Sequence, residues 1–153
     1  MLFSNGIRFS ISDLSAPRSR LLSCIYRERA AISLYDDLSR STSPVPSFTQ
    51  HIITLVADTV GRFKSICEQY HVPEHNIIVF ATEAMRKASN QEDMVQAIKE
   101  KSGLTVDILE GNMESLFGAM GARSGFEQYV ILGFHSSAAQ SLPVSGSLLL
   151  RAR

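Results

Sequence analysis

Tryptophan is absent from this chain, and cysteine nearly so, with Cys24 and Cys67 the sole pair. The two lie far apart without a C-x-x-C spacing, which argues against a disulfide framework and fits a reducing compartment. Histidine is sparse as well: His51, His71, His75 and His135 show no metal-ligand spacing. Charge of either sign is missing in excess. Fifteen Lys and Arg balance fifteen Asp and Glu, for a formal net charge of zero, whereas a nucleic-acid or anionic-membrane partner calls for a basic surplus. No apolar run approaches the roughly 18 residues of a membrane span, and the first residues lack the charged-then-apolar order of a signal peptide. These absences predict a cytoplasmic, soluble domain with neither nucleic acid nor membrane as partner. Its 153 residues suffice for one domain with a single core.

What is present falls into two regimes of periodicity. In "IRFSISDL" (7–14), Ile7, Phe9 and Ile11 alternate with Arg8, Ser10 and Ser12, the period of a strand. Ser15 and Pro17 signal a turn, "RLLSCIY" (20–26) reads as the return strand of a hairpin, and a third short strand is expected around Ile32 to Tyr35. The polar, proline-bearing "SRSTSPVPS" (39–47) reads as a loop. From Phe48 the spacing lengthens. Ile52, Val56, Val60, Phe63, Ile66 or Cys67, and Tyr70 recur at three- and four-residue steps, one stripe of an amphipathic helix ending before Pro73. The β-branched run Ile77 to Phe80 is too short for a helix and predicts a buried strand. Asn90 followed by Asp93 resembles an N-cap with a first-turn acid, and Met94, Val95 and Ile98 give the helix behind it an apolar face. Gly103 suits a left-handed C-cap, "LTVDIL" (104–109) is a further strand, and "GNMESLFGAMGARSGF" is a glycine-rich helical segment. Strands alternating with helices predict an α/β domain with a mixed sheet.

Three polar segments follow or precede strands in this scheme: "SNGIR", "ATEAMR" and "LEGNME". In open α/β sheets ligands sit at strand carboxyl ends, where loops enter helices. Arg86 has the reach to meet an anion there, and Gly and Asn in the other two segments expose backbone N–H groups to oxyanions. Glu114 beside such a pocket makes sense as a proton acceptor for water or as a metal ligand. Each signal alone also fits a solvated strand end or a helix-dipole partner.

Together, "SNGIRFSISD", "VFATEAMRKASN" and "VDILEGNMES", in that order, resemble the N-terminal domain of the exopolyphosphatase and guanosine pentaphosphate phosphohydrolase (Ppx/GppA) family. "SNGIRFSISDLS", "ISLYD" and "GAMGARSGF" bring the chain nearest to the family's fungal retrograde-regulation branch. The resemblance spans about residues 4–126. It implies an actin-like, ribonuclease-H-like ATPase fold: a mixed twisted sheet with flanking helices, two phosphate loops and a cleft between lobes. For the branch it implies a cytoplasmic regulator of mitochondria-to-nucleus signalling through nucleotide or phosphate binding. For the wider family it implies an exopolyphosphatase releasing terminal phosphate from polyphosphate or guanosine pentaphosphate. Carried across, Ser4 and Asn5 fall in the first phosphate loop with Arg8 just after it. Thr82 and Arg86 match a T-x-x-x-R segment that binds the phosphate chain, and Glu114 matches the general base. Mg2+ is the cofactor implied; polyphosphate, nucleotide phosphates and a regulatory protein partner are the partners implied, with homodimers common in the family.

The departures are equally specific. The family's first loop reads D-x-G-S-N, but Met1-Leu2-Phe3 precede Ser4 here, leaving out the metal-associated aspartate and most of a central strand. Met113 stands where the family has its first glutamate and Leu116 where it has an arginine; after Tyr129 to Leu132, a candidate strand, no D-x-G-G-G-S follows. The expectation is therefore a partial domain over 1–126, truncated at both ends, and a divergent tail over 127–153 ordered as that one strand. With half of the charge clamp missing, hydrolysis by this chain alone is not expected, since one lost donor of that kind costs about 10²–10³ in rate. A missing central strand also predicts two open sheet edges and a tendency to aggregate.

Overall fold

The computed structural model describes residues 6–13, 23–42, 44–113 and 148–152. Strand β1, Ile7–Asp13, turns Ile7, Phe9 and Ile11 to the core, where none is more than 2% exposed. Strand β2, Ser23–Ala30, runs back antiparallel in the register Ile7↔Ala30 to Ile11↔Tyr26. The next pair is Ser12↔Cys24, so β2 carries Ile25 as an extra residue and the hairpin is bulged there. At the open end of the hairpin a Cβ on Gly6 would lie 2.8 Å from the Ala30 carbonyl oxygen, so this position accepts no side chain without backbone movement.

The third strand expected near Ile32 to Tyr35 is instead helix α1, Leu34–Arg40. Ser33 caps it by accepting a hydrogen bond from the Asp36 N–H, Asp36 and Asp37 complement its dipole, and Leu34 and Leu38, one turn apart, enter the core. Helix α2, Gln50–Gln69, is the predicted long helix, buried along Ile53, Val56, Val60, Phe63 and Cys67. Its N-cap Thr49 is held by Asp37, whose two carboxylate oxygens accept from the Thr49 N–H (2.8 Å) and hydroxyl (3.0 Å). Phe63 of α2 stacks on Phe9 of β1 with ring centroids 4.6 Å apart, a contact adding about 0.5–1.5 kcal/mol to plain area burial.

Strand β3, Ile77–Ala81, leads through Thr82 into the short helix α3, Glu83–Lys87. Helix α4, Gln91–Ser102, packs on α2 and ends at Gly103, whose φ of 74° is the predicted left-handed cap. Asn90 stands before α4, yet its side chain does not cap it. The amide instead reaches back: Asn90 Oδ1 accepts from the Phe48 N–H at 2.8 Å, and Nδ2 donates to the Phe48 carbonyl at 3.0 Å. Phe48 is 4% exposed and has no strand partner there, so the asparagine supplies both of its backbone bonds. Strand β4, Val106–Ile108, then pairs parallel with β3.

The two sheet edges expected to lie open are instead paired among the described residues. Strand β5, Leu148–Ala152, lies between β1 and β3, parallel to the first and antiparallel to the second. The five described strands form one sheet in the order β2-β1-β5-β3-β4. The candidate strand at 129–132 lies outside the described residues. The architecture is a mixed α/β sheet with α2 and α4 together behind its Phe9–Val79 face.

Candidate functional site

Strand direction decides which segments meet. β1 runs parallel to β5 and β5 antiparallel to β3, so β1 begins at the end of the sheet where β3 and β4 finish. One continuous row crosses that end: Arg29, Arg8, Leu149, Phe80 and Asp107. Gly6, Thr82 and Leu109 follow within two residues of the row. The three polar segments singled out in the sequence thus enter or leave the sheet at one edge. Of the residues expected to form the site, Arg8, Thr82 and Arg86 are described; Ser4, Asn5 and Glu114 lie outside the described residues.

Thr82 is 8% exposed, and its carbonyl accepts the N–H groups of Met85 (3.0 Å) and Arg86 (3.3 Å), which starts α3. One turn later Arg86 projects from α3, and its Nη1 donates a hydrogen bond to the Leu109 carbonyl. The Leu109 N–H donates in turn to the Ala81 carbonyl at 2.8 Å, extending the β3–β4 pairing by one residue. Gly111 lies beside the same guanidinium, where an added Cβ would stand 3.9 Å from Nη2. In this structure the guanidinium braces the segment after β4 against α3 and so locks two of the three polar segments together.

Arg8 occupies the sheet face opposite Phe9, two strand spacings or about 10 Å from Phe80. Arg29 is its partner across the hairpin and Arg27 is the partner of Ser10, so three arginines share this face. Burial, then the charges of Arg29 and Arg27, hold the Arg8 guanidinium below its ordinary pKa. Its Nε is buried with no hydrogen-bond partner. Such a nitrogen beside two like charges is stabilised by an anion. Arg27 and Arg29 were not among the expected site residues. Their signal was the R-x-R spacing of "YRERA", which becomes informative once the hairpin register sets both opposite "IRFS".

Mg2+, implied by the family resemblance, takes oxygen ligands, commonly one or two carboxylates together with substrate phosphates and water. Among the described residues no three His, Cys, Asp or Glu side chains come together to hold a metal ion. What the described residues bring to this sheet end is oxyanion binding by guanidinium and backbone N–H groups.

Comparison with known proteins gives the family and the fold. The model of the Ppx/GppA phosphatase family matches residues 12–132. Retrograde regulation protein 2 of Saccharomyces cerevisiae is 38% identical over 127 residues, covering 80% of this chain and 21% of that protein. A bifunctional 3-dehydroquinate synthase/phosphatase of Fusobacterium nucleatum is 21% identical over 104 residues, 68% of this chain and 15% of its own length. The chain therefore spans about a fifth or less of the curated relatives it matches. Among solved structures, the Aquifex aeolicus Ppx/GppA family member superposes with a TM-score of 0.63 at 16% identity, over 78% of this chain and 40% of that one. An exopolyphosphatase from Cytophaga hutchinsonii gives 0.63 at 18% identity, over 78% and 38%. These neighbours share the actin-like ATPase fold, of which the sheet and helices here are a part. By the extent of the family match and by its similarity to the yeast protein, this chain belongs to the Ppx/GppA phosphatase family.

Proposed function

We propose that this chain is the phosphate-binding part of a non-hydrolysing Ppx/GppA protein, one that senses a nucleotide or polyphosphate and reports it to a protein partner in retrograde, mitochondria-to-nucleus regulation from the cytoplasm. The observation that carries the reading is the convergence at one sheet end of Gly6, Thr82 and the Arg86–Leu109 brace, with the arginines of the hairpin in the adjoining row. Guanidinium groups and exposed loop N–H groups recognise phosphoryl oxygens. Similarity to the yeast retrograde regulation protein supports the regulatory role over hydrolysis, as does Met113 in place of a family glutamate.

Calorimetric titration of the full chain with guanosine tetraphosphate, ATP and a short-chain polyphosphate, beside a phosphate-release assay, tests this. Binding of at least one of them is expected, weakened roughly tenfold or more in Arg86→Ala, the value of one charge-assisted bond. No phosphate release above a Glu114→Ala control is expected. Absence of binding by all three, or release above that control, refutes the proposal.

A further inference from the structure

We propose that Ser89 is a phosphorylation site for a basophilic serine/threonine kinase, and that the modification acts on the Arg86 brace. The segment Arg86-Lys87-Ala88-Ser89 places basic residues three and two positions before a serine. Kinases selecting by charge pattern read that arrangement through acidic clefts that take the acceptor as an extended strand. Ser89 is exposed, in the turn between α3 and α4, and Ala88 before it is already extended at φ −77°, ψ 130°. Its backbone N–H is fixed to the Pro46 carbonyl at 2.9 Å. Lys87 is exposed, its ammonium 2.6 Å from Glu83 on the surface of α3.

A second serine supplies the contrast. Ser65 also follows an arginine at the third position back, Arg62, with Lys64 between. It lies inside the 20-residue helix α2, however, with its hydroxyl on the Gly61 carbonyl and Arg62 committed to Glu28. Reaching Ser65 requires unwinding a core helix, whereas reaching Ser89 requires opening the end of a five-residue helix and releasing a turn held by the Ser89–Pro46 and Asn90–Phe48 bonds. Of these two serines, each with an arginine three positions back and a lysine in between, the fold favours Ser89.

The reaction is transfer of the γ-phosphoryl group of ATP to Ser89 Oγ, releasing ADP and a proton. The product carries nearly two negative charges, three residues from Arg86. Arg86 donates to a neutral carbonyl in the unmodified chain, and guanidinium–phosphate bonds are the stronger class. Phosphorylation therefore draws the guanidinium off Leu109 and loosens the segment after β4. This consequence, unlike the modification itself, rests on the reading of that corner as the ligand site.

The experiment incubates the folded full chain with ATP and the catalytic subunit of a cyclic-AMP-dependent kinase, then maps phosphate by mass spectrometry. Labelling at Ser89, none at Ser65, loss in Ser89→Ala and slowing by about tenfold in Lys87→Ala are expected. Amide exchange across 109–113 is expected to rise at least severalfold on phosphorylation. A Ser89 that stays unlabelled in the folded chain, or Ser65 labelled in preference, overturns the proposal. Exchange unchanged by phosphorylation overturns its second half. Failure of the chain to bind any phosphorylated ligand leaves the labelling result standing and removes only the functional reading.

Discussion

Asn90 offers the sharpest separation between a sequence-level role and a structural one. Were it an N-cap, aspartate would serve as well, since Asn and Asp rank together at that position. In the structure its amide makes two opposite bonds to Phe48, accepting at 2.8 Å and donating at 3.0 Å. Asn90→Ala removes both and leaves a nearly buried N–H and carbonyl without partners, at about 1 kcal/mol each, or about 2 kcal/mol together. Asn90→Asp keeps the acceptor but sets a carboxylate against the Phe48 carbonyl oxygen, so it loses about 1 kcal/mol for the bond and more for the repulsion. With a urea slope of about 2 kcal/mol per molar, either variant lowers the unfolding midpoint by about 1 M. Equilibrium urea unfolding followed by far-ultraviolet circular dichroism measures this. An Asn90→Asp midpoint equal to that of the parent chain would refute the clamp and restore the cap.

Three further outcomes follow from the same structure. Gly6→Ala brings a methyl group within 2.8 Å of the Ala30 carbonyl oxygen and is expected to cost about 1–3 kcal/mol; a thermal midpoint unmoved by the substitution would contradict the close approach. Burial raises the Cys67 thiol to about 11, while Cys24 is exposed. At pH 8, iodoacetamide is therefore expected to modify Cys24 within minutes and Cys67 only as the protein opens, a comparison read by mass spectrometry. The carboxyl of Glu28 is held below its ordinary value first by its hydrogen bond from Arg62, and also by the Tyr26 hydroxyl. A depressed carboxylate contributes stability that is present above the ordinary carboxylate range and is lost as pH falls through the lowered value. Arg62→Ala is thus expected to destabilise at pH 7 by at most about 1 kcal/mol, since the pair is solvent-screened, and its gap from the parent is expected to narrow as pH falls below the ordinary carboxylate range. A constant gap across that range counts against the ion pair.

Features set by local chemistry were legible in the sequence: the three- and four-residue rhythm of α2, the β-branched run of β3 and the left-handed turn at Gly103. The same holds for the period-two pattern of β1, whose apolar residues all reach the core. Helix α1 was missed because Ile32 to Tyr35 is apolar and short, although the Ser33 cap, Asp36 and the Leu34–Leu38 spacing were present as signals. The role of Asn90 was missed because its partner Phe48 lies on the other side of α2, and no local pattern reports such a pairing. The hydrogen bond from Arg86 to the Leu109 carbonyl was not legible either, because it joins segments 23 residues apart. Strand β5 was illegible for a stronger reason. "LLLRA" has no alternation, and its place between β1 and β3 is set by two long-range pairings.

That placement has a consequence for how the molecule is made. Synthesis at about 5–20 residues per second separates emergence of β1 from that of β5 by roughly 7 to 28 seconds. Throughout that interval the hairpin and the β3–β4 pair each carry a row of unsatisfied peptide groups along the flank that will later be interior. The nascent protein is therefore most vulnerable on the ribosome, and factors that shield exposed strands during translation should govern its yield more than its final stability does.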